Sequence, residues 1–384
     1  MPTERQPLHL MIVAGEASGD LHGAKLILEL KKLLPDLTCY GIGGENMRKA
    51  GVSTIVDVSE LSVIGLTEVI RHYHRLRKIL NRMKGELKRN RPDMLVLIDS
   101  PDFNLPLAKE ARRLGTKVMY YISPQVWAWR SSRVQVIKKC VDMMATVFPF
   151  EEKFYREAGV PVKYVGHPLV EDAYSTADRT TFLKDLRLHA GKKLVGIFPG
   201  SRTSEVEYNF PVLIEAAAAL TKKCPEIQFI VPVASTLPAE AVEKFTCKTP
   251  LDITTTSANI YDVIHACDAI AATSGTVTLQ ITLMQTPMLI VYRVSPVTYQ
   301  ILNRLVNFSY AGIANVIAGR EISREFIQHE ATPGNIADEL ERLLSDPAYS
   351  ARMKSEMSEI RKILGKKNGS VEAARLAAHL IQAG

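Results

Sequence analysis

Short apolar runs and longer segments of helical period take turns along this 384-residue chain. Leu8–Ala14 is followed by a helical Ala24–Leu34, Met94–Ile98 by Leu105–Leu114, Lys117–Ile122 by Val134–Cys140, and Met143–Phe148 by Glu151–Ala158. The runs are apolar without interruption, as strands buried on both faces must be, and helices between parallel strands supply that cover. The alternation pauses after Tyr164–Pro168. The stretch from Glu171 to Gly191 is polar and then helical, and reads as a hinge. A second series then runs through Leu194–Phe198, Ile227–Val233, Leu251–Thr255, Ala269–Thr273 and Met288–Tyr292. The pattern predicts an α/β chain of two doubly wound, Rossmann-like halves, 1–170 and 190–346, with a helical tail over 347–384. Ligands of such sheets bind outside the carboxyl ends of the strands, so both halves are expected to turn those ends toward a shared cleft.

Length agrees with two domains, since one core rarely grows beyond 250–300 residues. No apolar run approaches the roughly 20 residues that span a bilayer. Leu8–Ala14 is too short for a signal peptide and runs straight into a motif, so it is read as a first strand. Five scattered cysteines without a C-x-x-C pair point to neither a disulfide framework nor a zinc site and suit a reducing, cytoplasmic setting.

Net charge changes the picture more. It is +7, and much of the excess lies between Arg71 and Arg91, where Arg71, Arg75 and Arg77 open a run of nine basic residues. Leu76, Ile79, Leu80, Met83 and Leu87 recur among them at helical spacing, and the apolar loop Val63-Ile64-Gly65-Leu66 comes just before. A basic amphipathic helix beside an apolar loop is what a peripheral membrane contact requires. The plainer alternative, a surface helix with its apolar face in the core, has equal standing.

Candidate chemistry sits where strands end. Gly200-Ser201-Arg202 and Ser274-Gly275-Thr276 each follow an apolar run and open a helix. Such turns present free backbone N–H groups and a positive dipole end to an anion, and two of them with an arginine form a cradle for a pyrophosphate. Gln280, one turn into the second helix, is positioned for a ribose hydroxyl or is an ordinary surface amide. Gly15-Glu16-Ala17-Ser18-Gly19-Asp20 follows the first strand. It is either a tight turn capped by Ser18 or Asp20, or a substrate loop with Glu16 facing the cleft. In Asp99-Ser100-Pro101-Asp102-Phe103-Asn104 the cap is assigned to Asp102 and general-base chemistry to Asp99. Trp127, Trp129 and Arg130 suit a sugar face or an acyl chain, with one tryptophan expected to face ligand. Asn315 lies in a loop-like stretch, and His167 before Pro168 reads as structural.

Taken together, Val13–Asp20, Ile98–Asn104, Ser123–Arg130, Phe148–Glu151, Val165–Pro168, Pro199–Arg202 and Asn315–Arg320 resemble, in order, the signature runs of the lipid-A-disaccharide synthase family. The resemblance implies an inverting glycosyltransferase of the two-domain GT-B type that needs no metal or other cofactor. It implies transfer of 2,3-diacylglucosamine from UDP to the 6-hydroxyl of 2,3-diacylglucosamine 1-phosphate (lipid X). The products would be the β-1,6-linked lipid A disaccharide 1-phosphate and UDP, for lipopolysaccharide. Carried over by position, Asp99 is the essential acid, Arg202 holds the departing diphosphate, Glu16 and Ser18 belong to the N-terminal side of the site, and Asn315 to the C-terminal side. Family members often carry glutamate where Gln280 stands, which changes how a ribose would be held. The implied partners are the two lipid substrates and the anionic cytoplasmic face of the inner membrane, contacted through Val63, Ile64 and Leu66. A homodimer through the C-terminal region is a further implication, and nucleic acid is not among the partners. The competing readings are another UDP-sugar enzyme such as a 2-epimerase, and a non-catalytic nucleotide-sugar sensor.

Overall fold

The computed structural model describes residues 7–61, 66–124, 126, 133–238, 240–305 and 310–382. The chain divides into two compact units, residues 1–168 with 364–384, and residues 169–363.

The first unit is built on a parallel sheet of β1 (His9–Ala14), β2 (Thr38–Gly43), β3 (Val52–Asp57), β4 (Met94–Ile98), β5 (Lys117–Tyr121), β6 (Met143–Thr146) and β7 (Val162–Tyr164), in the order β3-β2-β1-β4-β5-β6-β7. Every residue of β4 is buried, as a central strand covered on both faces requires. The order reverses between β1 and β4, which pair in parallel with Ala14 opposite Ile98. Two adjacent strands whose following chains leave in opposite directions open a crevice at their carboxyl ends.

The basic segment forms the helix Leu66–Asn90. Ile79, Met83 and Leu87 are buried in the core of this unit, with Leu76 and Leu80 packed against it. The apolar stripe from Leu76 to Leu87 is therefore committed to the fold, and Arg75, Arg77, Lys78 and Arg82 are left on the exposed face. The helix Gly369–Gln382 completes the unit by packing on the helix Ala17–Leu33, and Lys117 Nζ donates to the Leu380 carbonyl at 2.7 Å.

The second unit repeats the plan with β8 (Lys193–Phe198), β9 (Ile227–Pro232), β10 (Ile253–Thr256), β11 (Ala269–Thr273), β12 (Met288–Tyr292) and β13 (Glu325–Ile327). The order β10-β9-β8-β11-β12-β13 is that of a dinucleotide-binding sheet, and it reverses between β8 and β11, where Phe198 lies opposite Ala272. The helix Pro347–Leu364 closes this unit, with Met353 under β12 and Arg361 donating to the Leu283 carbonyl at 2.6 Å. The expected tail 347–384 is thus two helices that serve different units. The expected hinge residues Ser175, Thr176 and Ala177 are gathered by Asp262, whose carboxylate accepts from the Ser175 and Thr176 hydroxyls and from the Thr176 and Ala177 N–H groups at 2.6–3.1 Å.

Candidate active site

At the switch point of the first sheet, the turns after β1 and β4 touch. A Cβ at Gly15 would come within 1.8 Å of Ser100 Oγ, so only a glycine lets the two backbones approach. Glu16 is half-buried at the head of the helix Ala17–Leu33, and Ser18 is exposed in its first turn. Asp99 and Ser100, both partly exposed, have φ values of 50° and 40°, a left-handed conformation that side chains with a Cβ rarely adopt. Two successive residues of this kind persist only where the surroundings over-determine them. Here Asn104, fully buried, donates from Nδ2 to the carbonyls of Ile98 and Asp99 at 3.0 and 2.7 Å, and the Tyr120 hydroxyl donates to the Asp99 carbonyl. Burial, and after it the Asp99 charge, pushes the Tyr120 phenol well above its ordinary pKa, so it stays a donor. The backbone of Asp99 is clamped through its carbonyl, an arrangement suited to aiming its side chain.

Two capping expectations are corrected. The helix after β4 begins at Pro101 with Ser100 at its N-cap, so Asp102 lies inside the first turn and pairs with Arg133 instead of capping. Neither Ser18 nor Asp20 caps the helix that contains them. Asp20 is buried and reaches across to the short helix Glu45–Lys49, accepting from Gly44 N, Asn46 N and Met47 N at 2.6, 3.0 and 3.1 Å. That bond set ties the β1 turn to the β2 turn.

At the switch point of the second sheet stand the two glycine-bearing turns. Gly200 has φ 116°, and a Cβ there would meet Glu205 Cβ at 2.5 Å. Both the backbone and the space demand glycine. Glu205, in the first turn of the helix Thr203–Lys223, folds back so that Oε2 accepts from Ser201 N at 2.9 Å and Arg202 N at 3.2 Å, while Oε1 accepts from Arg202 Nη1 at 3.0 Å. Asn209, buried, anchors this helix to the end of β12 by donating to the Arg293 carbonyl and accepting from Arg293 N. Burial, and then the Glu205 charge, raises the pKa of the nearby Tyr292.

After the neighbouring strand, Gly275 and Thr276 are exposed at the start of the helix Thr276–Met284, whose N-cap residue, Gly275, has no side chain to cap it. The Ser274 hydroxyl donates to the Ala311 carbonyl at 2.8 Å. Gln280 Nε2 donates to the Tyr261 hydroxyl at 3.2 Å. Asn315 differs from expectation. It lies in a helix, Ile313–Ala318, with no exposed surface. Its Nδ2 donates to the Ser323 carbonyl and to Glu325 Oε1, and its Oδ1 accepts from Ile322 N and Ser323 N. All of its hydrogen-bonding capacity is spent inside the fold, so its work is to shape the loop that Ser274 touches.

Glu325 is a group that sequence reasoning missed. It is buried, its pKa is raised by that burial, and it accepts from Ala311 N and Gly312 N at 2.6 and 2.8 Å. Val63, Ile64, Trp127, Trp129 and Arg130 lie outside the described residues, as do the side chains of Leu66 and Arg71. Arg75 is exposed and pairs with Glu60 at 3.0 Å, and Arg77 is exposed. His167 is buried against Phe148, with ring centroids 5.0 Å apart. Desolvation, reinforced by His22, pushes its pKa down to about 3. A neutral imidazole packed in this way is a structural part. Among the described residues no group of three or more His, Cys, Asp and Glu gathers as a metal ion would need.

Comparison with known proteins agrees with this geometry. The family model described as Lipid-A-disaccharide synthetase matches residues 10–381. The lipid-A-disaccharide synthase of Geobacter sulfurreducens is 46% identical over 379 residues, covering 99% of each chain. That of Coxiella burnetii (strain Dugway 5J108-111) is 38% identical over 372 residues, covering 97% of this chain and 98% of the relative. Among solved structures, UDP-GlcNAc 2-epimerase from Neisseria meningitidis bound to UDP-GlcNAc superposes with TM-score 0.65 at 13% identity, covering 98% of this chain and all of that one. The glycosyltransferase of kitacinnamycin superposes with TM-score 0.63 at 16% identity, covering 98% and 99%. These distant likenesses establish the GT-B type fold, while the match along nearly the full length establishes more: the chain belongs to the lipid-A-disaccharide synthase family, glycosyltransferases that form the disaccharide of lipid A.

Proposed function

We infer that the second unit binds the UDP-sugar, the first unit binds the lipid acceptor, and the reaction transfers 2,3-diacylglucosamine from UDP to the 6-hydroxyl of 2,3-diacylglucosamine 1-phosphate. Asp99 takes the proton from that hydroxyl as its oxygen attacks the anomeric carbon from the face opposite the diphosphate, which gives inversion and the β-1,6 linkage. Glu16 and Ser18 flank the acceptor. The amides of Gly200, Ser201, Gly275 and Thr276, with the Arg202 guanidinium, take up the charge that grows on the leaving diphosphate, a role that needs no metal, while the Ser274 amide stays bonded to the Val291 carbonyl and Ser274 shapes the turn. Gln280 acts beside the ribose through one carbonyl oxygen, and Asn315 acts through the loop it shapes.

One observation carries this reading: the acidic groups and the anion-binding turns occur separately at the two strand-order reversals, one set in each sheet. The test is mass spectrometry of products from UDP-diacylglucosamine and diacylglucosamine 1-phosphate with a chelator present. A disaccharide 1-phosphate and equimolar UDP are expected; UDP-sugar epimerisation, or binding without turnover, overturns the reading.

Acylated substrates require access to a membrane. Among the described residues no helix is long and apolar enough to cross one. Since Leu76 to Leu87 are held in the core, membrane contact falls to Val63, Ile64 and Leu66, with Arg71, Arg75 and Arg77 drawing anionic headgroups on the cytoplasmic face of the inner membrane. Serine at Val63, Ile64 and Leu66 should then release the protein from anionic vesicles. A homodimer through the C-terminal region belongs to the same reading, and light scattering in solution tests it.

A further inference from the structure

The two turns assigned to the diphosphate are not equally available. Ser274–Thr276 opens a helix whose N-cap residue, Gly275, offers no side chain of its own. Gly200–Arg202 is already filled. One carboxylate, that of Glu205, accepts from the N–H groups of Ser201 and Arg202 and pairs with the Arg202 guanidinium, so that a single internal anion holds two of the donors assigned to the leaving group and the amide between them. The fold makes room for it, because Gly200 lacks the Cβ that would collide with Glu205. The seat is not sealed: the Glu205 side chain is 21% exposed and that of Arg202 50% exposed. The positive end of a 21-residue helix favours an anion there whichever anion it is. A carboxylate and a phosphate at hydrogen-bonding distance from the same N–H groups would stand only a few ångströms apart, and their repulsion forbids joint occupancy.

We propose that Glu205 is a positioning residue that acts as a built-in substitute for the diphosphate: it keeps the Gly200–Arg202 turn in its receptive shape while the site is empty, leaves when the sugar nucleotide arrives, and returns to help expel UDP. The proposal rests on the assignment of that turn to the diphosphate. Its consequence is an affinity held down by competition, since the binding-competent form is only the fraction in which the carboxylate has swung out.

UDP titration calorimetry and thermal unfolding on the full chain test it with Glu205→Gln, Glu205→Ala and Arg202→Ala. Glutamine keeps an acceptor oxygen for the turn and removes the competing charge. Glu205→Gln is expected to bind UDP roughly tenfold more tightly than the parent. UDP should become a correspondingly stronger inhibitor of turnover, while the unliganded protein melts at a lower temperature. Glu205→Ala should show the same pair of opposite shifts. A residue that merely supports the fold would lose stability and UDP affinity together. That outcome, or unchanged affinity in both variants, overturns the proposal. Arg202→Ala separates the two levels. If it weakens UDP binding but the Glu205 variants do not strengthen it, the substitute role fails alone; if it leaves UDP binding unchanged, the assignment of the turn fails and the substitute role falls with it.

Discussion

The two strand-order reversals solve different problems with different backbone. On the proposed reading the first unit has a carboxylate to aim, and there Asp99 and Ser100 hold left-handed conformations without glycine. Each such residue costs of order 1–3 kcal/mol, which the Asn104 and Tyr120 hydrogen bonds offset. On the same reading the second unit has an anion to meet with amides, and there Gly200 adopts its positive φ with little strain. A site that acts through a side chain cannot delete that side chain to relax the turn. A site that acts through N–H groups can.

That contrast can be broken experimentally, and the largest effect belongs to the aimed group. Asp99→Asn should lower turnover by about 100- to 10,000-fold while UDP affinity, read by calorimetry, stays within twofold or so of the parent. Equal losses in both would mean that the two reversals are not divided as argued. Next comes the clamp. Asn104→Ala removes both hydrogen bonds to the strained turn and should destabilise the first unit by about 2–4 kcal/mol in denaturant unfolding, with kcat falling more than KM rises. A normal kcat would show that Asp99 needs no such support. Asn315→Ala is the counterpart in the second unit, where a fully used, buried amide is lost. A stability loss of about 2–3 kcal/mol is expected, with UDP weakened by less than tenfold. A large loss of affinity without a loss of stability would return Asn315 to the ligand.

The last effect is that of pH on stability through His167. Its folded-state pKa of about 3 lies below the unfolded value near 6.5, so below pH 6.5 the unfolded chain binds the proton more readily. Its contribution is fully present above pH 6.5 and declines as pH falls toward 3. His167→Gln should flatten the stability profile over that interval, and an unchanged slope would remove His167 from the acid response.

The strands that sequence located best are those with unbroken apolar runs: Met94–Ile98, Ala269–Thr273 and Met288–Tyr292 coincide with β4, β11 and β12. Four strands escaped notice. Two glycines interrupt β2, serine, threonine and aspartate dilute β3, and β7 and β13 have three residues each, too few to show a period. The turns of the candidate site were legible where each directly follows its own strand, as at Asp99, Gly200 and Ser274. The site was not legible where the partner is distant in sequence. Asp20 acts on a helix more than twenty residues away, and Asn315 looks like an exposed loop amide until Ile322, Ser323 and Glu325 surround it. Glu205 stands three residues after Arg202, a capping-box spacing, but the arginine at the cap position hid the signal.

The helix Gly369–Gln382 belongs to the unit that the ribosome begins first. Until that last segment emerges, the side of Ala17–Leu33 it covers stays bare, on the order of tens of seconds at ordinary rates of synthesis. The second unit can finish its core in the meantime, since its residues are contiguous. The first unit therefore completes its packing only after every residue of the second has been made.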